Sequence, residues 1–599
     1  MTISERVRDL SGRAYTHCKR LLATLDPGAP RWLMLPALVA VLVLVIWQVR
    51  SLPVDIIGEH NWRQADTYSQ AYNFLHESPD FFHPRIDWTN GRSGVMGMET
   101  PIYSYTMFLG MAVFGDAPAV GRVVAWLVFM LAIACFCRSL RPFGRKTIAV
   151  GLLVMVFFSP MGLYEFRQIQ PDGVMVSLCV IAAACFHEYA KTARRRHFVI
   201  GMICYTVAVL TKSPALVMGP AMWLFTFTAK PTSWRQKLVR GAWFAVPLVL
   251  FWSWNQWAHH LNEAYNDGIV YFAIEFDVKT MLADMTNGGQ LEHLFGFVLT
   301  SYVCNWVLFP AVLVGAALGF EKEHRPVAIP MLAWLLGAGL FLAAFSSRLG
   351  SHWYYATVIF PPLMYFGSLA IGRLFELTTM DEVSPLSRWT GAFLVFVLAL
   401  APFVGGKLRE LNETHAAAGL VPRASWIGTT TLLLLLVLMA VAYGMANAPP
   451  SWRLRWAFGP MLLIAGWMGL ERAHHDAREV FKWRTREPQW ETADTDTAAL
   501  RAAVDRFSSR ADLFVVDAAN PWYLYLPLRK GWADDLRTIN EHDAAWYNQR
   551  GARFYLHFAD NGGRARIVRK QQPLARADRW ELFCIDPAGC PELPVTAAR

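Results

Sequence analysis

The chain has 599 residues, 54% of them hydrophobic and 17% charged, with a mean hydropathy of +0.27. That is the composition of a multi-pass membrane protein and excludes a soluble enzyme. The formal net charge of +10 comes from Lys and Arg set in short clusters between apolar runs, so it marks topology and does not point to nucleic acid as a partner.

Residues 1–31 are polar and basic and lack a small-residue cleavage site before the first apolar run. They predict a cytoplasmic N-terminal segment followed by a retained anchor. Runs long enough to cross a hydrocarbon core of about 30 Å fall at 32–49, 118–137, 146–163, 173–190, 197–211, 214–229, 241–257, 295–319, 327–346, 354–372, 390–406, 425–446 and 455–470. The expected fold is therefore an α-helical polytopic membrane protein with about thirteen transmembrane helices. The stretch "PIYSYTMFLGMAVFG" at 101–115 is too short to span and is bounded by Pro101 and Gly115, which fits an interfacial or re-entrant helix.

The positive-inside rule orients these runs. "RSLRPFGRK", "KTARRRH", "KPTSWRQKLVR", "EKEHR", "RLFELTTMDEVSPLSR" and "SWRLR" fall inside. The first loop (about 50–117), "YEFRQIQPDG", "LTKSP", 258–294, "SSRLGSHW", 407–424 and everything after 470 fall outside. Residues 32–470 then form a transmembrane domain and 471–599 an extracytoplasmic one. In the latter a helical stretch, "DTAALRAAVDRFSS", precedes strand-like runs "DLFVV", "ARFYLHF", "RARIV" and "RWELFCI", the pattern of a small α/β domain. Cys584 and Cys590 in "CIDPAGC" are spaced for a local disulfide in an oxidising compartment, and no CxxC or Cys/His metal spacing appears.

The outer loops carry the residues with chemistry. In "GEHNWRQADT", Glu59, Trp62, Arg63 and Asp66 fall at i, i+3, i+4 and i+7, one face of a helix, with His60 beside them. The bland reading is a surface helix in which Arg63 pairs with Glu59; against it, Trp62 lies among the charges, as in a pocket wall. Glu99 in "GMETP" is either functional or a cap for the interfacial helix. Arg167 and Asp172 in "FRQIQPDGVM" sit where one span leaves the membrane and the next enters, and Asp172 is again a site residue or a cap. Lys212 in "AVLTKSPALV" interrupts an apolar stretch, and either pairs with an anion or snorkels. Arg348, His352, Tyr354 and Tyr355 in "SSRLGSHWYYATVIFPPL" form a site edge or an aromatic belt.

Acids and cations gathered from separate loops at one membrane face suit a phosphorylated lipid whose head group reacts in water. In "GEHNWRQADT", "ETPIYSY", "SPMGLYEFRQIQPDGVM", "LTKSPAL" and "SHWYYATVIFPP", taken in that order, the chain resembles the GT-C superfamily of membrane glycosyltransferases. Within it the chain is similar to the group of the protein O-mannosyltransferases and the lipid A aminoarabinose transferase. The resemblance covers roughly residues 30–375. It implies inverting transfer of a sugar, hexosyl or pentosyl, from a polyprenyl-phosphate donor to a glycan, lipid or protein acceptor. The transfer would take place at the outer face of a bacterial inner membrane. It also implies a general base in the first loop. Many members open that loop helix with Asp-Glu, where this chain has Gly58-Glu59, so Glu59, Asp66 and Asp172 are the candidate catalytic carboxylates. His60, Trp62, Arg63, Glu99, Arg167, Lys212, Arg348, His352 and Tyr354 are the candidate substrate-binding residues. The group's frequent lysine before the proline is absent from "ETP", against aminoarabinose itself as the sugar.

A lipid phosphate leaves with its charge spread over oxygens, so no cofactor is required; His60 and His352 could take a divalent ion but show no recognisable ligand set. A flippase or transporter of a lipid-linked substrate predicts symmetric halves and charges at mid-span, neither of which is evident. A non-catalytic lipid-binding relative would keep the same residues.

Overall fold

The computed structural model describes residues 31–377 and 493–589, apart from 57–59, 141–145, 228–232, 267–277, 349–351, 587–588 and scattered positions between 293 and 307. The expected spans at 390–406, 425–446 and 455–470 lie outside the described residues. The principal helices are α1 (Arg31–Arg50), α2 (Asn61–His76), α3 (Ile102–Phe114), α4 (Pro118–Leu140), α5 (Lys146–Phe157), α6 (Pro160–Tyr164), α7 (Pro171–Thr192), α8 (Arg195–Thr211), α9 (Ala245–Asn266), α10 (Phe309–Leu318), α11 (Arg325–Ala344) and α12 (Phe360–Leu377).

Four described helical segments are long and apolar enough to cross a membrane: Pro118–Leu140, Pro171–Thr192, Arg325–Ala344 and Trp353–Arg373. A fifth results if α5 and α6, bent by 79°, are counted together. The sequence suggests ten runs over the same range, and at two of them the chain is broken for a local reason. Pro160 takes the first position of α6 with Ser159 as its cap, so the run at 146–163 turns where it was expected to continue. The run at 214–229 is broken into a 3₁₀ segment, Ser213–Met218, and a short helix, Gly219–Phe225, with Pro214 and Pro220 at their starts. The segment Trp353–Arg373 is 94% buried, which makes it the centre of the bundle. At Gly315 an added Cβ would stand 1.6 Å from the Phe366 carbonyl oxygen, so α10 and α12 cross there at a distance only glycine allows. The stretch 101–115 forms α3, a separate helix of 13 residues.

Residues 493–589 hold an α/β unit: α13 (Ala493–Phe507), β1 (Leu513–Val516), α14 (Trp522–Tyr525), β2 (Lys530–Ala533), β3 (Ala552–Phe558), β4 (Ala575–Arg576) and β5 (Trp580–Cys584). The strand order is β2-β1-β3-β5-β4, with β1 parallel to both β2 and β3 and β5 antiparallel to β3. The central strands β1 and β3 are buried along nearly their whole length, which is why β1 reads as an unbroken apolar run and β3 as a largely apolar one. "RARIV" ends in a 3₁₀ turn, Arg566–Val568, and is not a strand. Cys584 is disulfide-bonded, and its expected partner Cys590 lies outside the described residues.

Candidate active site

α2 begins at Asn61, preceded by His60 in the left-handed region at φ 58°. Of the helical face expected to run from Glu59 to Asp66, the described helix carries Trp62, Arg63 and Asp66; Glu59 lies outside the described residues. Both Arg63 and Asp66 are buried. Arg63 forms an ion pair with Glu99, and α3 has no side-chain cap, so Glu99 serves the arginine and not the helix.

The bend between α5 and α6 carries the chain through Glu165 into the start of α7. Asp172 lies in the first turn of α7, where its charge suits the helix dipole, but no side chain caps that helix. The carboxylate instead accepts a hydrogen bond from Lys212, with Nζ 2.7 Å from Oδ2. Lys212 follows α8 in extended conformation, at φ −162° and ψ 135°, as the residue before a Ser-Pro pair; it is buried against Asp172 and does not snorkel. Its ammonium lies 4.6 Å from the ring centroid of Tyr354 and 5.1 Å from that of Tyr355, a cation–π cradle. Tyr354 meets His60 edge-on at 4.8 Å, and His352 meets Trp62 edge-on at 5.9 Å. His60 Nε2 is 4.0 Å from Glu165 Oε1, and Glu165 accepts a hydrogen bond from the Tyr302 hydroxyl. Five separate chain segments, around residues 60–62, 165–172, 212, 302 and 352–355, thus meet at one end of the bundle.

Burial pushes the Asp66 carboxyl up to about 7; Arg63 opposes the shift and Asp87 adds to it. Asp66 Oδ2 is buried without a hydrogen bond, so its proton affinity is set by desolvation. The same effect pushes the His352 imidazole down; Lys212 and Arg63 act in that direction, while the Arg348 backbone and Asp172 oppose it.

One candidate is placed elsewhere. Arg167 donates to the Leu163 carbonyl at 3.1 Å and to Ser51, and its guanidinium stands over Trp47 at 5.2 Å, so it ties the loop to the end of α1 and not to Lys212. Arg348 is exposed, and its carbonyl accepts the His352 amide at 3.0 Å. Glu165 was missed: it sits inside a motif singled out for its neighbours, and its partner Tyr302 is 137 residues away. Its single sequence signal was a carboxylate at an outer membrane edge.

The loop carrying Glu99 is held by the extension of α9 beyond residue 257. Asn262 bonds both the amide and the carbonyl of Gly97 at 2.9 Å, and Trp254 Nε1 bonds the Met98 carbonyl at 2.8 Å. At Gly97 an added Cβ would stand 2.0 Å from the Ala258 carbonyl oxygen. The α/β unit holds the other side. Trp522 Nε1 donates to the Ile56 carbonyl at 2.6 Å, Tyr525 bonds Asp55, Lys530 bonds Glu77 at 2.6 Å, and the Gly531 backbone pairs with Asp87, Thr89 and Asn90. Among the described residues, the group spaced to hold a metal ion is Glu321, Glu323 and His324, at the far end of α11, about 30 Å from the site.

Residues 98–257 match the family described as dolichyl-phosphate-mannose-protein mannosyltransferase. No curated protein matches the chain. Among solved structures the chain is similar to ArnT from Cupriavidus metallidurans bound to undecaprenyl phosphate, with 15% identity, a TM-score of 0.57 and coverage of 92% of this chain and 98% of that one. The apo state of the same protein gives 15% identity, 0.57, 92% and 97%. The Archaeoglobus fulgidus oligosaccharyltransferase gives 13% identity and 0.43, covering 88% of this chain and 70% of that one. Residues 98–257 thus carry the sequence pattern of that mannosyltransferase family, and over 92% of its length the chain shares the fold of ArnT, with apolar helices long enough to cross a membrane.

Proposed function

We propose that the chain transfers a sugar, with inversion, from a polyprenyl-phosphate donor to an acceptor hydroxyl at the periplasmic face of a bacterial inner membrane. The observation that carries this reading is the buried Lys212–Asp172 pair beneath Tyr354 and beside the Arg63–Glu99 pair. A buried ammonium held at a membrane edge, with a second cation one helix away, is an arrangement that receives a phosphate. ArnT, which shares this fold, binds undecaprenyl phosphate, and this supports a lipid donor here.

In the transfer the acceptor oxygen attacks the anomeric carbon as the bond from that carbon to the phosphate oxygen breaks. The acceptor's proton passes to a carboxylate of the first loop, and polyprenyl phosphate leaves with the electron pair. Lys212 and Arg63 hold the phosphate as its charge grows. Asp172 orients Lys212 and keeps the site neutral before donor binds. The base is Glu59 or Asp66. Asp66 has a proton affinity close to neutral pH, and Glu59 immediately precedes His60, which contacts Tyr354.

Turnover in proteoliposomes separates the two carboxylates. Loss of the base lowers transfer by about 10²–10⁴-fold. Glu59→Gln with that loss and Asp66→Asn without it names Glu59, the converse names Asp66, and near-normal turnover in both removes this segment from the chemistry.

A further inference from the structure

We propose that the seam between α2 and the α/β unit contains an oxyanion-binding site that receives a phosphate or carboxylate carried by the acceptor. The inference rests on the transferase reading and concerns the acceptor, about which the site around Lys212 is silent. A cavity of about 250 Å³ opens there, lined by Tyr72, Arg501, Asp505, Ser508, Arg510 and Arg529 among others; this is far more than the ~30 Å³ share of one water.

Three arginines face one carboxylate across this space. Arg529 is satisfied: it bonds Asp505 at 2.7 Å and the Ser508, Pro527 and Leu528 carbonyls at 3.2 to 3.3 Å. The other two are not saturated. Arg510 lies flat on Tyr72 at 3.8 Å, donates Nη2 to Asn73 at 3.1 Å and pairs its buried Nε with Glu77 at 4.0 Å, so the donors it offers to the cavity it lines are on its terminal nitrogens. Glu77 is already engaged by Lys530 at 2.6 Å and Arg85 at 3.4 Å. Arg501 donates Nε to the Leu526 carbonyl at 2.9 Å, bonds the Tyr525 side chain and stands 4.0 Å from Asp55, whose carboxylate serves Tyr525 and the Ile56 amide. Two guanidinium groups therefore keep donors directed at a polar space, the geometry that recognises planar or tetrahedral oxyanions.

The position fits an acceptor. Tyr72 and Asn73 lie six and seven residues beyond Asp66 on α2, about 10 Å along its axis. An acceptor held by its anion at the arginines reaches the base with a spacer of one or two sugar rings.

The test uses the full-length protein in nanodiscs of neutral phosphatidylcholine, with inorganic phosphate as probe and ³¹P line broadening as readout. Wild type broadens the phosphate signal at millimolar concentration. The double variant Arg501→Gln/Arg510→Gln weakens binding about tenfold or more, with an unchanged melting temperature. Asp505→Asn, at an exposed side chain that keeps an acceptor for Arg529, tightens binding several-fold and guards against a misfolded double variant. Lys212→Ala leaves this binding in place. If broadening is lost in Lys212→Ala alone, the phosphate occupies the donor site: the inference fails and the transferase reading stands. If wild type shows no broadening, or Asp505→Asn weakens it, the inference also fails. Nanodiscs of phosphatidylglycerol distinguish the source of the anion. A site filled by lipid head groups loses phosphate binding there, which overturns the acceptor assignment, and a site for the acceptor keeps it.

Discussion

The Lys212 ammonium lies 2.7 Å from Asp172 Oδ2, across 40 residues of sequence. Asp172 makes no side-chain cap to its helix, and Lys212 is buried against it. Two opposite charges buried together cost desolvation on both sides, and each depends on the other for its compensation.

Breaking this pair should cost more than losing one contact. Asp172→Leu leaves Lys212 buried and unneutralised, and the expected loss of stability is about 3–5 kcal/mol, read as a lower melting temperature in detergent. The same measurement with a polyprenyl phosphate added should recover part of the loss, because the phosphate restores the missing negative charge. No recovery would mean that Lys212 does not meet the lipid phosphate.

Asp66 gives the pH dependence a definite sign. Its carboxyl, pushed up to about 7 by burial, carries a proton below that value and cannot accept another. If Asp66 is the base, kcat rises about tenfold per pH unit up to about 7 and is flat above it. Asp66→Asn then removes the rise together with the activity. A rise that survives Asp66→Asn belongs to another group and excludes Asp66 as the base.

Trp522 ties the α/β unit to the carbonyl of Ile56, just before the segment with Glu59 and His60. Trp522→Phe keeps the ring and removes the donor, leaving a buried carbonyl unpaired at a cost of about 1–3 kcal/mol. The expected signature is a several-fold lower kcat with an unchanged KM for the donor, since Lys212 and Arg63 are not displaced. A changed KM with normal kcat would contradict the positioning role.

Much of the architecture was legible because it depends on composition along continuous runs. α4, α7 and α11 are unbroken apolar stretches, and α3 announced itself by being too short. What could not be read depends on pairings between distant segments. Glu165 has meaning through Tyr302 and His60, Asn262 through Gly97, and Trp522 through Ile56; none leaves a period or a spacing in the local sequence. β2 is four residues containing Gly531, too short and too unlike a strand to stand out, although its backbone pairs with the first loop at Asp87, Thr89 and Asn90. The turn at Pro160 was visible as a proline, but the tight packing that keeps the chain inside the bundle afterwards was not.

The basic loops predict which side the α/β unit faces. Alkaline phosphatase fused after residue 500 should be active in intact cells, and a fusion after residue 142 inactive. The reverse pattern would turn the site toward the cytoplasm and remove the proposed periplasmic acceptor.

The most direct test is the fate of a radiolabelled sugar on polyprenyl phosphate, offered to the purified protein in proteoliposomes with an envelope extract as the source of acceptor. The account predicts that label leaves the donor lipid for a new product with wild type, and that Lys212→Ala slows this while weakening donor binding. Label that crosses the bilayer still attached to its lipid, or that stays on the donor at the same level with wild type and Lys212→Ala, would contradict it.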